Sequence, residues 1–155
     1  RNSRLTQKLV YDLQLATNAA SFQDGKRLDG DFTVFATARP GKTLPELQRV
    51  IDAELRRLAD EGPTQRELDQ AKNSTESQFL SGLESTSRKA DQLNAYYYST
   101  GSPDGFQADL DRYRAVTAED IKRVVRTYLL APKAVLSVGP QGKPELAVRA
   151  GGVTP

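Results

Sequence analysis

Three threonine motifs constrain the fold most, because each one sets the residue at which a helix begins. In each motif an acidic residue follows a threonine by three positions, which is the capping-box spacing that satisfies the first free backbone amides of a helix. A stripe of apolar residues at helical spacing follows every motif. The pairs are Thr43 with Glu46, Thr64 with Glu67 and, with Asp in the acidic place, Thr117 with Asp120.

Helical spacing elsewhere adds three further helices. Leu5, Leu9 and Leu13 stand four residues apart behind Ser3, a suitable cap, and Gly101 and Gly62 supply helix ends. The predicted helices cover 3–14, 43–58, 64–83, 88–100, 106–113 and 117–128.

Two segments between the first two helices favour extended chain. Residues 15–22 are small and uncharged, residues 32–38 alternate, and 23–31 supplies a hairpin loop longer than two residues. Residues 134–138, with proline at both borders, predict one buried strand. We therefore expect an α+β fold with two layers, an antiparallel-type sheet carrying helices on one face. The chain of 155 residues fits one domain over 1–140, followed by the start of a linker or C-terminal tail over 141–155.

Composition excludes several classes of function. The sequence contains no His and no Cys, so an imidazole zinc site, a Ser-His-Asp triad and a His general base are ruled out within it. Its 22 basic and 20 acidic residues are mixed along the chain, without the basic cluster of a nucleic-acid interface. No apolar run is long enough to span a membrane. Because a helical pattern starts at once and the first residue is Arg, we expect a larger parent polypeptide.

Candidate sites have structural alternatives. Arg4 and Tyr11 lie seven residues apart, two turns of a helix, so both side chains could face one ligand. Residues 24–31 superficially resemble a calcium loop but lack its ligand spacing, which favours a plain turn. Residues 96–98, three consecutive tyrosines, cannot form one stack on a helix and indicate packing. The helix carboxylates are interpreted as a solvated face, with a carboxylate-only metal site as the alternative.

An ordered set of segments resembles the pitrilysin/insulinase family of zinc metallopeptidases. The segments run from Ser3 to Pro140, and the combination is more specific than any one piece. They are S-R-L-x-x-x-L-V-Y-D-x-x-L-A-T, D-G-D-F-T-V-F-A-T-A-R-P-G-K-T-L, E-G-P-T-Q-R-E-L-D-Q-A-K, A-D-Q-L-N-A-Y-Y-Y-S-T-G-S-P-D, V-T-A-E-D-I-K-R-V-V-R-T-Y-L and V-L-S-V-G-P. The chain resembles the second, non-catalytic domain of one half of such an enzyme.

The resemblance implies a metallopeptidase LuxS/MPP-like fold and a clamshell enzyme of repeated α+β domains. Zinc and a His-x-x-Glu-His sequence belong to the first domain of one half, upstream or on a partner subunit, so this chain is expected to hold no catalytic, cofactor or metal residue. Its expected task is structural: it supports the zinc domain, walls the peptide chamber and joins the other half. The alternatives are a scaffold domain of a catalytically inactive member, acting in assembly or processing, and an unrelated helical binding module.

The resemblance also bears on Arg4 and Tyr11. Some family domains carry an Arg and a Tyr seven apart that contact peptide near the zinc. When S-R-L and L-A-T are aligned, however, those positions fall on Val10 and Thr17. We therefore interpret Arg4 as an exposed first-turn residue and Tyr11 as helix packing, with substrate contact as the alternative. The family's domain begins with strands that precede this helix, so the sheet is expected to expose a pairing edge, filled by that segment or by a homodimer. Exported bacterial enzymes are the nearest resemblance, which favours a periplasmic or exported parent.

Overall fold

A β-hairpin and six helical segments make up the computed structural model, which describes residues 3–25 and 29–148. The elements are α1 (Arg4–Thr6, continued by a π-helical turn Gln7–Asp12), β1 (Ala16–Gly25), β2 (Gly30–Ala38), α2 (Leu44–Glu61), α3 (Gln65–Gly82), α4 (Thr86–Thr100), α5 (Phe106–Ala115), α6 (Ala118–Val124, continued by a π-helical turn Val125–Leu129) and a short 3₁₀ turn (Pro144–Leu146). The chain divides into two units, Arg1–Asp60 with Val124–Pro155, and Glu61–Arg123.

The hairpin of the first unit confirms the predicted antiparallel pair. Its ladder runs from Ala16 opposite Ala38 to Gly25 opposite Gly30, with a bulge between Ala16 and Asn18. The strands therefore extend into the predicted loop, of which residues 26–28 lie outside the described residues.

One apolar core lies against a single face of the hairpin. Leu9 of α1, Ala16 of β1 and Leu47 of α2 are its buried centre. The partly buried residues packed around them come from both helices and both strands: Leu5, Val10, Leu15, Ala19, Ala36, Ala38, Val50 and Ile51. This arrangement, helices on one face of an antiparallel sheet, is the predicted α+β layering.

All three predicted capping boxes form. The threonine amide donates to the acidic side chain over 3.0 Å at Thr43, 2.7 Å at Thr64 and 3.0 Å at Thr117. In return each threonine hydroxyl accepts from the backbone amide three residues later, over 3.4, 3.2 and 3.2 Å respectively. Each of these helix starts is therefore stabilised by hydrogen bonds between residues three positions apart in the sequence.

The second unit packs α5 onto α3. Leu68 and Leu110 are its buried apolar residues, and the Phe79 ring lies 5.7 Å from that of Phe106 and 5.5 Å from that of Tyr113. Helix α4 ends at Gly101, as predicted, with the glycine in the left-handed conformation at φ 78°.

The predicted strand at 134–138 is wrong. The described residues form a two-stranded sheet, and this segment joins no ladder. Leu136 is 90% exposed and Val138 is 80% exposed, so the segment is not buried either. Its sequence favours extended chain, but a strand needs a partner edge, and within the described residues the hairpin does not offer one to it.

Candidate functional site

The structure reverses the expected environments of Arg4 and Tyr11. Arg4 is half-buried, whereas Tyr11, assigned to helix packing, is 57% exposed. The exposed-first-turn interpretation of Arg4 and the packing interpretation of Tyr11 are therefore both wrong.

The π-helical turn in α1 explains the reversal. Seven residues close two turns only in a regular α-helix, where each amide bonds the carbonyl four residues back. Here the Leu13 amide donates to the Lys8 carbonyl, five residues back, over 3.0 Å. The wider turn rotates Tyr11 away from the direction expected from Arg4.

The positions on which the family's Arg and Tyr fall have structural contacts instead. Val10 packs against the core of the first unit. Thr17, exposed at the bulge, donates its hydroxyl to the Thr37 carbonyl over 3.3 Å, across the hairpin. Neither side chain presents a charged or phenolic group.

Arg39 is a residue that sequence reasoning missed. Its Nε donates to the Ala16 carbonyl over 3.0 Å, and its Nη2 donates to the Val10 carbonyl over 3.4 Å. The guanidinium thus ties the last turn of α1 to the start of β1, where free helix carbonyls attract a cation. The available signal was a single Arg directly after a predicted strand, which does not by itself identify a partner.

Among the described residues no helix covers the other face of the hairpin, which carries an aromatic surface that we call the outer strip. Residues opposite each other in the ladder share a face, and the outer strip consists of three such pairs: Asn18 with Thr37, Ala20 with Phe35, and Phe22 with Thr33. Phe22 is 54% exposed and Phe35 is 52% exposed. The alternation of residues 32–38 predicted a strand, but not which face the helices would cover.

The described residues whose pKa is shifted all lie away from the outer strip. The Thr43 hydroxyl and amide lower the pKa of Glu46, and those of Thr117 do the same to Asp120. The Arg114 guanidinium lowers the pKa of the Glu76 carboxyl, which in turn raises the pKa of Arg114. Each shift favours the ionised form, whereas a general acid or base at neutral pH needs a pKa brought close to 7. These groups act as caps and an ion pair.

The donor groups of this chain do not fit a zinc ion. The sequence has no His or Cys, and among residues 3–25 and 29–148 no group of three or more Asp or Glu side chains could hold a metal. The turn predicted at 24–31 includes residues 26–28, which lie outside the described residues.

The tyrosine run at 96–98 is only partly packed. Tyr96 is half-buried over Gly105, where an added Cβ would lie 2.5 Å from its ring. Tyr97 and Tyr98 are exposed, so the packing prediction is wrong for these two. Consecutive residues on α4 point in different directions, as expected for a helix.

Two surface depressions occur in the second unit. An open polar one of about 690 Å³ follows a single helix and is lined by Arg66, Asp69, Gln70, Asn73, Ser74 and Ser77. A smaller one of about 360 Å³ lies between α3 and α4. Neither is lined by His or Cys, and both are shallow features of helix surfaces.

Comparison with known families identifies what the first half of the chain is similar to. Residues 1–75 match the model of the peptidase M16 inactive domain. No curated protein matches the sequence. Within the described residues no helix has the length and apolar character needed to cross a membrane.

Several solved structures share the fold. A protease from Helicobacter pylori is 30% identical with a TM-score of 0.70, and the match covers 82% of this chain but 30% of that one. The inactive peptidase domain of a Bordetella parapertussis protein described as a zinc protease is 21% identical, with a TM-score of 0.73, covering 92% and 78% of the two chains. The periplasmic protease PqqL from Escherichia coli is 16% identical, with a TM-score of 0.65, over 83% of this chain and 15% of its own. The chain thus spans less than a third of the Helicobacter protease.

Proposed function

We propose a function from one premise: the chain belongs to the pitrilysin/insulinase family of zinc metallopeptidases, as an inactive peptidase domain. In this proposal it is a structural domain of a zinc-dependent endopeptidase. It supports the zinc-bearing domain, walls the chamber in which peptides are cleaved and joins the other half of the enzyme.

The match to an inactive peptidase domain is the observation that carries the proposal. The chemistry of the chain supports it, because the sequence lacks the imidazole and thiolate ligands that a zinc centre uses. The carboxylates with a lowered pKa, Glu46, Asp120 and Glu76, serve two helix caps and a surface ion pair. Zinc, with a His-x-x-Glu-His sequence, is therefore assigned to another domain of the parent or to a partner subunit.

The second candidate is a scaffold domain of a catalytically inactive family member that acts in protein assembly or processing. The same inactive domain would serve there without any zinc-bearing half. A periplasmic or exported location is proposed for the parent, and the periplasmic protease with the same fold supports it.

The deciding experiment measures cleavage of an unstructured fluorogenic peptide. The samples are this chain alone, the polypeptide carrying His-x-x-Glu-His alone, and their mixture, each with and without a zinc chelator. We expect no cleavage by the chain alone and chelator-sensitive cleavage that the chain increases in the mixture. Chelator-sensitive cleavage by this chain alone would overturn the proposal, and a stable but inactive complex would favour the scaffold.

Tyr11 remains a proposed substrate contact, and Arg4 a lesser one because it is half-buried. In the active mixture, Tyr11→Ala should raise KM without changing kcat if the ring binds the peptide equally well in the ground state and in the transition state. An unchanged KM would remove Tyr11 from the site.

Two organisational points are also proposals. The first is that 1–140 forms one domain, with 141–155 as a linker or tail, and limited proteolysis should then remove only the end of the chain. The second is that a free hairpin edge pairs with a preceding segment or with a second copy. A monomer in light scattering that ignores the upstream peptide would contradict the second point.

A further inference from the structure

We propose that the outer strip binds an extended peptide segment carrying large apolar side chains at alternate positions. The proposal rests on the proposed function, because a chamber wall would meet unfolded peptide. It assigns the peptide contact to the outer strip, and mainly to Phe22 and Phe35. It also requires that the apolar side chains of the peptide lie two residues apart.

The ladder fixes the geometry of the two rings. Ala20 is opposite Phe35 and Phe22 is opposite Thr33, so the two phenylalanines are diagonal neighbours on one face. Diagonal neighbours in an antiparallel pair stand roughly 7–8 Å apart. An extended peptide places side chains of one face about 6.8 Å apart, two residues of roughly 3.4 Å each. Apolar side chains at i and i+2 would therefore each contact one ring.

The polar character of the outer strip agrees with this ligand. Its six residues carry no charge, and three of them, Asn18, Thr33 and Thr37, have side chains that can hydrogen-bond a peptide backbone. The next pair along the same face is Asp24 with Asp31, which ends the uncharged surface. A ligand of about five extended residues matches the length from Asn18 to Phe22.

The size of the strip argues for a peptide segment over a folded partner. Three cross-strand pairs extend about 17 Å along the strands and about 10 Å across them, on the order of 200 Å². A stable interface between folded proteins buries about 800 Å² on each side. The strip is therefore too small for a second copy of the chain, but it suits one extended segment.

The test measures peptide affinity by titration calorimetry with the full 155-residue chain. The probe is a soluble peptide with Phe at i and i+2 within a Ser/Thr background, and the comparison peptides carry the two Phe at i and i+1, or Ser at both. Phe22→Ala and Phe35→Ala should each weaken binding of the probe at least tenfold. The matched control is Phe32→Ala, a ring that is 43% exposed on the same strand but pairs with Gln23 on the opposite face, and it should change affinity less than twofold.

Equal losses in all three variants, or equal affinity for the three peptides, would overturn the proposal. So would a dimer in light scattering that Phe35→Ala dissociates, because the occupant would then be a second copy. Unchanged circular dichroism of the variants checks that each one folds. Binding is measured without zinc or cleavage, so its failure leaves the proposed structural role standing, and a failed activity assay leaves this result interpretable.

Discussion

Two regions of the first unit have similar strand-favouring sequences and opposite outcomes. The hairpin strands β1 and β2 pair from Ala16 to Gly25, with one bulge, and pack on a core of Leu9, Ala16 and Leu47. The segment 134–138, A-V-L-S-V, reads equally well as a strand but joins no ladder within the described residues, and Leu136 is 90% exposed.

The difference shows that a segment with strand propensity forms a strand only where neighbouring strands or helices pack against it and leave it half-buried. The hairpin has its partner only a turn away and two helices to cover one face. Segment 134–138 has apolar residues but no partner edge of its own within the described chain. A strand-favouring sequence thus forms a paired, half-buried strand in the hairpin, whereas in segment 134–138 it leaves apolar side chains exposed.

The largest expected effect comes from truncating the core beneath the hairpin. Leu9 is fully buried, so Leu9→Ala should lower the free energy of unfolding by about 2–5 kcal/mol through lost burial and a new cavity. Leu136→Ala, the same change in the exposed segment, should stay within about 0.5 kcal/mol. Urea unfolding measures both. Comparable losses at the two sites would mean that 134–138 is packed in solution and would break the comparison.

A charge placed on the covered face should have a somewhat smaller effect. Ala36 packs against the core, and Ala36→Asp places a carboxyl group there without a partner, which should cost about 1–3 kcal/mol. Val138→Asp, at an 80% exposed position of the other region, should be nearly neutral. Thermal unfolding at neutral pH compares the two variants. A destabilised Val138→Asp would show that the exposed segment has a buried face.

The sequence predicts local structure well because local chemistry determines it. The helix starts at Thr43, Thr64 and Thr117 depend on side chains three residues away. The hairpin was predicted from a small, uncharged segment and an alternating segment with turn residues between them. The family resemblance, carried by ordered motifs, also holds.

What the sequence could not predict depends on distant partners or on backbone detail. The strand at 134–138 lacked a partner, and a π-helical turn changed the direction of Tyr11. The bonds from Arg39 to two carbonyls and the identity of the uncovered hairpin face are both tertiary features. Periodicity reports which residues alternate, but it does not say which side a helix will cover.

A modest gain is expected at the junction that leads from α1 into the hairpin. Gln14 is the non-glycine residue with positive φ, at 49°, among those described, and the left-handed conformation disfavours a residue with a Cβ. Gln14→Gly should therefore stabilise the chain by about 0.5–1 kcal/mol, after allowance for the greater entropy of an unfolded glycine. Gln141→Gly, beside the turn that follows segment 134–138, should give no gain. If both variants were destabilised to the same extent, the backbone at residue 14 would not be strained.

The smallest expected effect is a difference in how the two regions contribute to stability at low pH. Segment 134–138 has no ionisable side chain, whereas α2, which covers the hairpin, begins at a cap where Thr43 lowers the pKa of Glu46 from its ordinary value of 4.5. A lowered folded pKa means that the unfolded chain binds more protons in this range. The cap therefore contributes stability above pH 4.5, and that contribution is lost as the pH falls through the lower folded pKa. Urea unfolding across this range should show a shallower acid loss for Glu46→Gln than for the native chain, since the glutamine carbonyl can still accept from the Thr43 amide but the side chain does not titrate. Parallel curves would mean that Glu46 has the same pKa in the folded and unfolded chain, and the cap would then act by geometry alone.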